Sequence, residues 1–177
     1  MYKRQGAALG FENAYALAVR RSRARELGLR TIGDLAPHAP RLAIGGDYEF
    51  FQRPEWKAVV EKYGLRFREE RSMDPSLMYD AVSRGTVDVI SAFSSDGRVA
   101  AFELELLADD RGAIPPYDAV VLAGKRLAEK HPDVLRALAS LGGRISPEAM
   151  RTMNLEVDAK GASPRDVARA FLERRRF

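Results

Sequence analysis

The chain has 177 residues, 46% of them hydrophobic, and a formal charge of +4 at pH 7, which suits one ordinary domain or two small lobes. It contains no cysteine, which excludes disulfides, thiol nucleophiles and thiolate metal sites. No run approaches the roughly 18 apolar residues of a transmembrane helix, and the start lacks the apolar core of a signal peptide. The two histidines, His38 and His131, stand beside prolines, so we expect no metal site and no cofactor.

Residues 15–107 alternate predicted strands with predicted helices. The strands are "YALAVR", "RLAIGG", "LRFREE", "VDVISA" and "LELLADD". The intervening helices carry end signals: Thr31 and Asp74 are expected N-caps, Pro54 lies in a first turn and Gly64 closes a last turn. Such alternation implies right-handed crossovers and a mainly parallel sheet covered on both faces. We therefore predict a compact α/β lobe over 15–107.

The pattern changes after "IPPY". Residues 108–177 contain one apolar run, "DAVVLAG", followed by amphipathic helices, and the last two helices open with Ser-Pro at 146–147 and 163–164. One strand and several helices have no sheet of their own to cover. We expect this segment to belong to another lobe whose other strands are not in this sequence; the family resemblance described below implies that 1–14 are the end of that lobe and the crossover.

The candidate site lies where two predicted strands end. "GGDYEFFQRP" follows one strand and "FSSDGR" follows another. The carboxyl ends of parallel strands meet at one edge of a sheet, so Glu49, Arg53, Phe93 and Asp96 are expected to face one crevice. Asp96 is also expected to cap the next short helix. Aromatic residues, an arginine and few catalytic groups indicate binding.

Eight stretches, in order, resemble one protein family. They are "TIGDLA", "YEFFQRPEW", "YGLRF", "MDPSLMYDAV", "GTVDVISAFSSDGRVAAFEL", "LADD", "PPYDAVVL" and "NLEVDAKGASPRDVARAFL". The chain resembles, from about Leu9 to Leu172, the substrate-binding proteins of ABC importers for quaternary-amine osmoprotectants such as glycine betaine, choline and carnitine. The resemblance implies a type II periplasmic-binding-protein fold, a two-lobed protein that closes on its ligand without catalysis.

Family members are longer than this chain. The resemblance therefore implies that the chain holds the complete second lobe and the returning tail of the first, while the opening half of the first lobe is missing. It also implies an ABC permease as partner. The full-length protein is expected in the periplasm or at the outer side of the membrane.

The resemblance also implies roles for individual residues. Tyr15, Phe93 and Tyr117 would be walls of an aromatic cage, because a trimethylammonium group lacks hydrogen-bond donors and is held by π-faces. Arg53 would clamp a ligand carboxylate in a bidentate pair. Asn13 and Glu49 would be nearby polar contacts. Phe93 stands where the family pattern leads us to expect tyrosine.

Other interpretations remain open at the level of sequence. Tyr15 and Tyr117 could be packing residues at the lobe edge, and Arg53 could form a surface salt bridge. A hydrolytic or acid/base α/β enzyme would need a base for Ser94 or Ser95, or paired work by Glu49 and Asp96. A basic nucleic-acid-binding module would use the arginines near both ends, but no recognition motif accompanies them, so no nucleic-acid partner is expected.

Overall fold

The computed structural model describes residues 3–175. Within this range the strands are β1 Lys3–Glu12, β2 Tyr15–Arg20, β3 Ala43–Gly46, β4 Glu69–Ser72, β5 Val89–Phe93, β6 Leu104–Leu107 and β7 Asp118–Gly124. The α-helices are α1 Arg21–Leu27, α2 Ile32–Leu35, α3 Pro54–Tyr63, α4 Pro75–Ser83, α5 Arg98–Ala101, α6 Lys125–Lys130, α7 Pro132–Ala139, α8 Pro147–Asp158 and α9 Pro164–Arg175. Short 3-10 helices cover Ala39–Arg41 and Phe50–Gln52.

A five-stranded sheet in the order β4-β3-β5-β2-β6 forms the first unit. β3 pairs in parallel with β4 and β5, whereas β2 pairs antiparallel with both β5 and β6. Four strands thus run in one direction and β2 alone runs in the other. Two of the four strand pairings are parallel and two are antiparallel, so the sheet is mixed, whereas the sequence predicts a mainly parallel sheet; the difference is the reversed strand β2.

Both faces of this sheet are covered, as the sequence predicts. Alternate strand residues belong to two separate cores: Leu17 and Ile44 pack on one face, and Ala18 and Ile90 on the other. Helices α1, α2 and α3 contribute to the first core, and α4 and α5 to the second. Burial of these apolar side chains is the main stabilising contribution to the unit.

The predicted helix ends are confirmed in α2, α3 and α4. Thr31 and Asp34 form a reciprocal capping box, and the Asp74 carboxylate accepts a hydrogen bond from the Ser76 amide. Gly64 ends α3 with φ of 65°, a left-handed conformation that favours glycine. The strand predicted in "LRFREE" is shifted toward the C-terminus: β4 begins at Glu69, the fifth residue of that stretch, and runs to Ser72.

The second unit contains β1, β7 and helices α6 to α9. β1 and β7 form an antiparallel two-stranded sheet from Lys3 opposite Gly124 to Glu12 opposite Asp118. The strand over "DAVVLAG" is confirmed, and β1 is the partner that the sequence did not predict. Helix α6 packs on both strands, α7 on β7, and α8 on β1 and α9. Within residues 3–175, no helix has both the length and the apolar character to cross a membrane.

Candidate functional site

One edge of the five-stranded sheet gathers the predicted site residues. β2 runs opposite to β5, so its first residue, Tyr15, is paired with the last residue of β5, Phe93. β3 ends at Gly46 at the same edge and is followed by the turn that carries Glu49 and Arg53. The reversed strand therefore brings an N-terminal strand residue to the edge at which the other strands end.

Tyr15 lies at the centre of an aromatic cluster. Its ring centroid is 4.8 Å from that of Phe93 and 5.4 Å from that of Phe50, within the range for favourable aromatic pairs. Phe50 is 2% exposed and supports Tyr15 from the core. A Cβ at Gly46 would lie 2.8 Å from Phe50 Cδ1, so the absence of a side chain there lets Phe50 approach the strand end. The cluster is anchored in the sheet and in the core below it.

Arg53 lies beside this cluster. Its Cζ atom is 5.7 Å from the centroid of the Tyr15 ring, within reach of a cation–π interaction. Its Nη2 donates to Glu49 Oε2 at 2.8 Å, and the buried Nε has no hydrogen-bond partner among the described residues. The Asp47 carboxylate shapes this turn by accepting the amides of Glu49 and Phe50 at 2.8 and 2.9 Å. Arg53 keeps donor capacity beyond its salt bridge.

Tyr117 reaches the same region from the segment before β7. Its hydroxyl donates a short hydrogen bond to Glu55 Oε1. Tyr117 as a whole is 39% exposed. Glu55, at the start of α3, is only 7% exposed, and its Oε2 is buried without a partner among the described residues. The hydrogen bond from Tyr117 lowers the pKa of Glu55. A buried carboxylate therefore holds the Tyr117 hydroxyl in place.

The electrostatic surroundings of Tyr15 are predominantly acidic. Burial raises the pKa of the Tyr15 hydroxyl; Arg53 opposes this effect, and Asp47, Glu55 and Glu49 add to it. Three carboxylates thus act on the ring that one guanidinium faces. Of these charged neighbours, Arg53 has the largest single effect on the pKa of Tyr15.

A second carboxylate fixes the loop that delivers Tyr117. Asp109 accepts hydrogen bonds from the Tyr63 hydroxyl at 2.5 Å and from the amides of Ala113 and Ile114 at 2.9 and 2.7 Å. Burial by itself raises the pKa of Asp109, but these hydrogen bonds outweigh burial and lower the pKa. The loop after β6 is thereby tied to α3.

Asn13 lies between the two units, on the segment that joins β1 to β2. Its backbone N–H donates to the Tyr117 carbonyl at 3.1 Å, and its side-chain Oδ1 accepts a hydrogen bond from the Ser95 hydroxyl at 2.6 Å. Ser94 Oγ donates to the Glu12 carbonyl and accepts the Ala14 amide, at 2.9 and 3.0 Å. Both serine hydroxyls are used to hold backbone or amide groups, and among residues 3–175 neither contacts a base that would activate it as a nucleophile.

The structure does not bring Asp96 into the aromatic cluster, contrary to the sequence expectation. Its carboxylate accepts the Tyr79 hydroxyl at 2.7 Å and the Arg98 guanidinium at 2.7 Å. These groups lie with the second core, which contains Tyr79. Asp96 does accept the Arg98 amide at 2.9 Å and so caps the start of α5, although Gly97 is the residue directly before the helix. Its role is local and structural.

Phe50, Asp47 and Glu55 lie beside Tyr15 or Tyr117, but the sequence does not single them out. In "YEFFQRPEW" nothing local distinguishes the buried Phe50 from Phe51. Glu55 resembles an ordinary first-turn acid of a helix, a position that the helix dipole favours. What sets Glu55 apart is its hydrogen bond with Tyr117, which lies 62 residues further along the chain.

The fold and this edge define a class of protein. A lobe of a type II periplasmic binding protein has this arrangement: a sheet with four aligned strands, helices on both faces and an open aromatic edge. The described residues contain no cluster of three metal-binding side chains. A protein-family model, the substrate binding domain of ABC-type glycine betaine transport systems, matches residues 3–174. The chain belongs to this family.

Known proteins agree with this assignment. The carnitine transport binding protein OpuCC of Listeria monocytogenes is 34% identical over 170 residues, which are 95% of this chain and 55% of that protein. The ergothioneine transport permease/ergothioneine binding protein EgtU of Helicobacter pylori is 32% identical over 167 residues, 94% of this chain and 30% of that protein. A crystal structure of a glycine betaine/carnitine/choline ABC transporter protein matches with a TM-score of 0.90 and 35% identity, covering 97% of this chain and 64% of that one.

Two statements follow from the comparisons. The predicted family and fold class are confirmed, and the family to which the chain belongs is a substrate-binding domain rather than an enzyme family. The chain spans 30%, 55% and 64% of the lengths of the three proteins named above.

Proposed function

We propose that this chain contributes one side of a binding site for a quaternary-ammonium solute that an ABC permease imports. The observation that carries the proposal is the pairing of Tyr15 with Phe93 at the sheet edge, with Arg53 over Tyr15 and Tyr117 held nearby by Glu55. Membership of the glycine betaine family supports the ligand class.

The residues suit both ends of such a ligand. A trimethylammonium group gains roughly 0.5 to 2 kcal/mol from a well-placed aromatic face, and Tyr15, Phe93 and Tyr117 supply such faces. The carboxylates of Asp47, Glu49 and Glu55 add a favourable potential for the cation. Aromatic rings therefore provide the contact, and the acids provide long-range attraction.

Arg53 is proposed to bind the carboxylate of a zwitterionic ligand. Its Nη2 donates to Glu49 and its Nε is buried, so the terminal Nη groups are the donors that a ligand can reach. A ligand carboxylate can share the guanidinium with Glu49 or replace it, since an arginine offers five donors. Glu49 is then a group that the ligand displaces, and Asn13 supports the site by holding Ser95.

The opposite walls are proposed to come from a first-lobe segment outside this chain. Residues 15–107 are then the second lobe, while 1–14 and 108–177 belong to the first. The cluster around Tyr15 lies on an open edge, so the chain alone would enclose a ligand on one side and bind it weakly. The complete protein is proposed to work at the outer side of the cytoplasmic membrane, where it meets its permease.

Calorimetry tests the proposal. The chain is fused to the part of the Listeria carnitine binding protein that it does not cover, and the fusion is titrated with glycine betaine, choline, carnitine and ergothioneine. We expect at least one quaternary-ammonium ligand to bind with a Kd at or below the micromolar range, and the 177-residue chain to bind at least 100-fold more weakly.

Two controls make the titration decisive. Dimethylglycine and glycine lack the quaternary head and should bind more weakly than glycine betaine, because they expose N–H groups that an aromatic cage cannot pair. The proposal is wrong if a folded fusion produces no heat with any of the four ligands.

A further inference from the structure

Helix α8 connects the second unit to the five-stranded sheet. It packs against β1 and also against α5. Arg151 Nη1 donates to the Ser94 carbonyl at 2.9 Å, and Asn154 Nδ2 donates to the Ser95 carbonyl at 2.7 Å. The two side chains are three positions apart and therefore lie on one face of the helix. Their acceptors are the two residues that follow Phe93.

The backbone of α8 also lies directly on this loop. A Cβ at Gly97 would be 2.3 Å from the Leu155 amide nitrogen and 2.6 Å from Leu155 Cα. Real Cβ atoms do not approach backbone atoms so closely, so only glycine fits while the helix stays in place. We call residues 94–97 the Phe93 loop.

The Phe93 loop is held from a second side by the segment between β1 and β2. The Ser94 hydroxyl bonds to Glu12 and Ala14, and the Ser95 hydroxyl bonds to Asn13. Each serine thus uses its hydroxyl toward one segment and its carbonyl toward α8. The loop has few ways to move while both sets of hydrogen bonds are present.

We infer that Arg151 and Asn154 are positioning residues that set the orientation of Phe93 against Tyr15 from the opposite unit. A displacement of α8 relative to the sheet pulls on the carbonyls of Ser94 and Ser95, and these residues are covalently joined to Phe93. Movement of one unit is thereby transmitted to the aromatic wall. The importance of this wall for ligand binding rests on the proposed function, but the mechanical coupling does not.

Amide hydrogen exchange by NMR on the 177-residue chain tests the inference without any ligand. The variants Arg151→Met and Asn154→Ala each remove one donor. Arg165→Met on α9 and Thr152→Ala on α8 are matched controls at exposed positions that do not contact the loop. The measured amides are those of Ser94, Asp96 and Arg98, which donate to Ala14, Phe93 and Asp96. Central amides of β2 and β5 serve as the internal reference.

We expect each donor variant to raise exchange of the loop amides by roughly tenfold relative to the reference, because one tie of a locally opening segment is lost. The Tyr15 ring resonances should shift as well, because the Phe93 ring current acts on them from 4.8 Å. The controls should change neither quantity.

A third variant, Gly97→Ala, keeps both donors but forces α8 away from the loop. It should reproduce the faster loop exchange and the shifted Tyr15 resonances. The inference is overturned if the exchange rates of the loop amides equal those in the control variants. It is also overturned if exchange becomes faster only for the amides of α8, or equally for all amides.

The same variants separate this inference from the proposed function. In the fusion protein, Asn154→Ala should weaken glycine betaine binding several-fold, although Asn154 is not one of the proposed ligand contacts. If no ligand binds any fusion while the loop exchange responds as expected, the proposed function fails and the positioning role stands.

Discussion

Tyr15 and Phe93 are opposite residues of the antiparallel β2–β5 pair, and their ring centroids lie 4.8 Å apart. The sheet register itself brings these two rings together, although 78 positions separate them in the sequence. A ring pair built on strands is held more rigidly than one built on loops.

A double-mutant cycle should detect this pairing. We expect Tyr15→Leu and Phe93→Leu to show a coupling energy of about 0.5–1.5 kcal/mol in the free energy of unfolding, the range for aromatic pairs beyond area burial. Urea unfolding measures it. The cycle of Tyr15→Leu with Tyr79→Leu, in the second core, is the control and should give coupling near zero.

Gly46 should tolerate no side chain, because the resulting Cβ would meet Phe50 at 2.8 Å and Phe51 at 3.0 Å. Gly46→Ala is expected to lower the free energy of unfolding by about 1–3 kcal/mol, as overpacking does. Gly45→Ala is the matched control, since its Cβ would meet the flexible end of Met73 at 3.0 Å. Equal losses for the two variants would contradict the role of Gly46 beneath the aromatic cluster.

The contribution of the Tyr117–Glu55 hydrogen bond to the free energy of unfolding should be measurable by substituting either partner. Tyr117→Phe removes the side-chain donor to the buried Glu55 carboxylate, which then keeps only its own backbone amide, and should lower the free energy of unfolding. Glu55→Gln keeps an oxygen acceptor for the Tyr117 hydroxyl and should cost less. Chemical denaturation of both variants at pH 7 decides the order, and a larger loss for Glu55→Gln would refute it.

Asp109 should contribute stability that disappears in acid. Its folded-state pKa is lowered by the hydrogen bonds from Tyr63, Ala113 and Ile114, below the roughly 3.9 of an unfolded aspartate. The contribution is therefore complete at neutral pH and is lost as the pH falls below about 4. We expect Asp109→Asn to lose about 1–2 kcal/mol at pH 7, and the difference from the parent chain to shrink toward pH 3. A difference independent of pH would exclude an ionised Asp109 as its source.

Arg53 should distinguish zwitterions from simple cations in the fusion protein. If a ligand carboxylate binds it, Arg53→Ala leaves that group unpaired and markedly weakens glycine betaine binding. Choline carries no carboxylate and should lose much less, whereas Tyr117→Ala should weaken both ligands. Calorimetry compares the two ligands, and equal losses for both on removal of Arg53 would withdraw the carboxylate-clamp assignment.

Local signals in the sequence were sufficient for most elements of the first unit. Thr31, Asp74 and Gly64 mark helix ends by rules that act within a few residues, and the structure confirms all three. The direction of β2 was not accessible in this way. Nothing within "YALAVR" distinguishes a parallel from an antiparallel partner, because that choice depends on how the preceding segment crosses from β1.

Long-range contacts also explain the errors at the site. Asp96 follows a strand end, as a ligand contact would, but its carboxylate pairs with Tyr79 and Arg98 on the other face of the sheet. β1 contains glycine and polar positions that weaken its strand pattern, and it is stabilised by pairing with β7 more than 100 residues away. The strand ends indicate Arg53 and Phe93, the family resemblance adds Tyr15 and Tyr117, and the geometry of the structure brings in Phe50 and Glu55.

The peptide connections between the two units run side by side. β1 ends opposite the start of β7, where Glu12 is paired with Asp118, and the Asn13 amide donates to the Tyr117 carbonyl just beyond. Tyr117 is thereby fixed twice: its backbone carbonyl bonds to the neighbouring connection, and its hydroxyl bonds to Glu55 of the five-stranded unit. The place where the chain passes between the two units is therefore tied directly to the sheet edge that carries Tyr15 and Phe93.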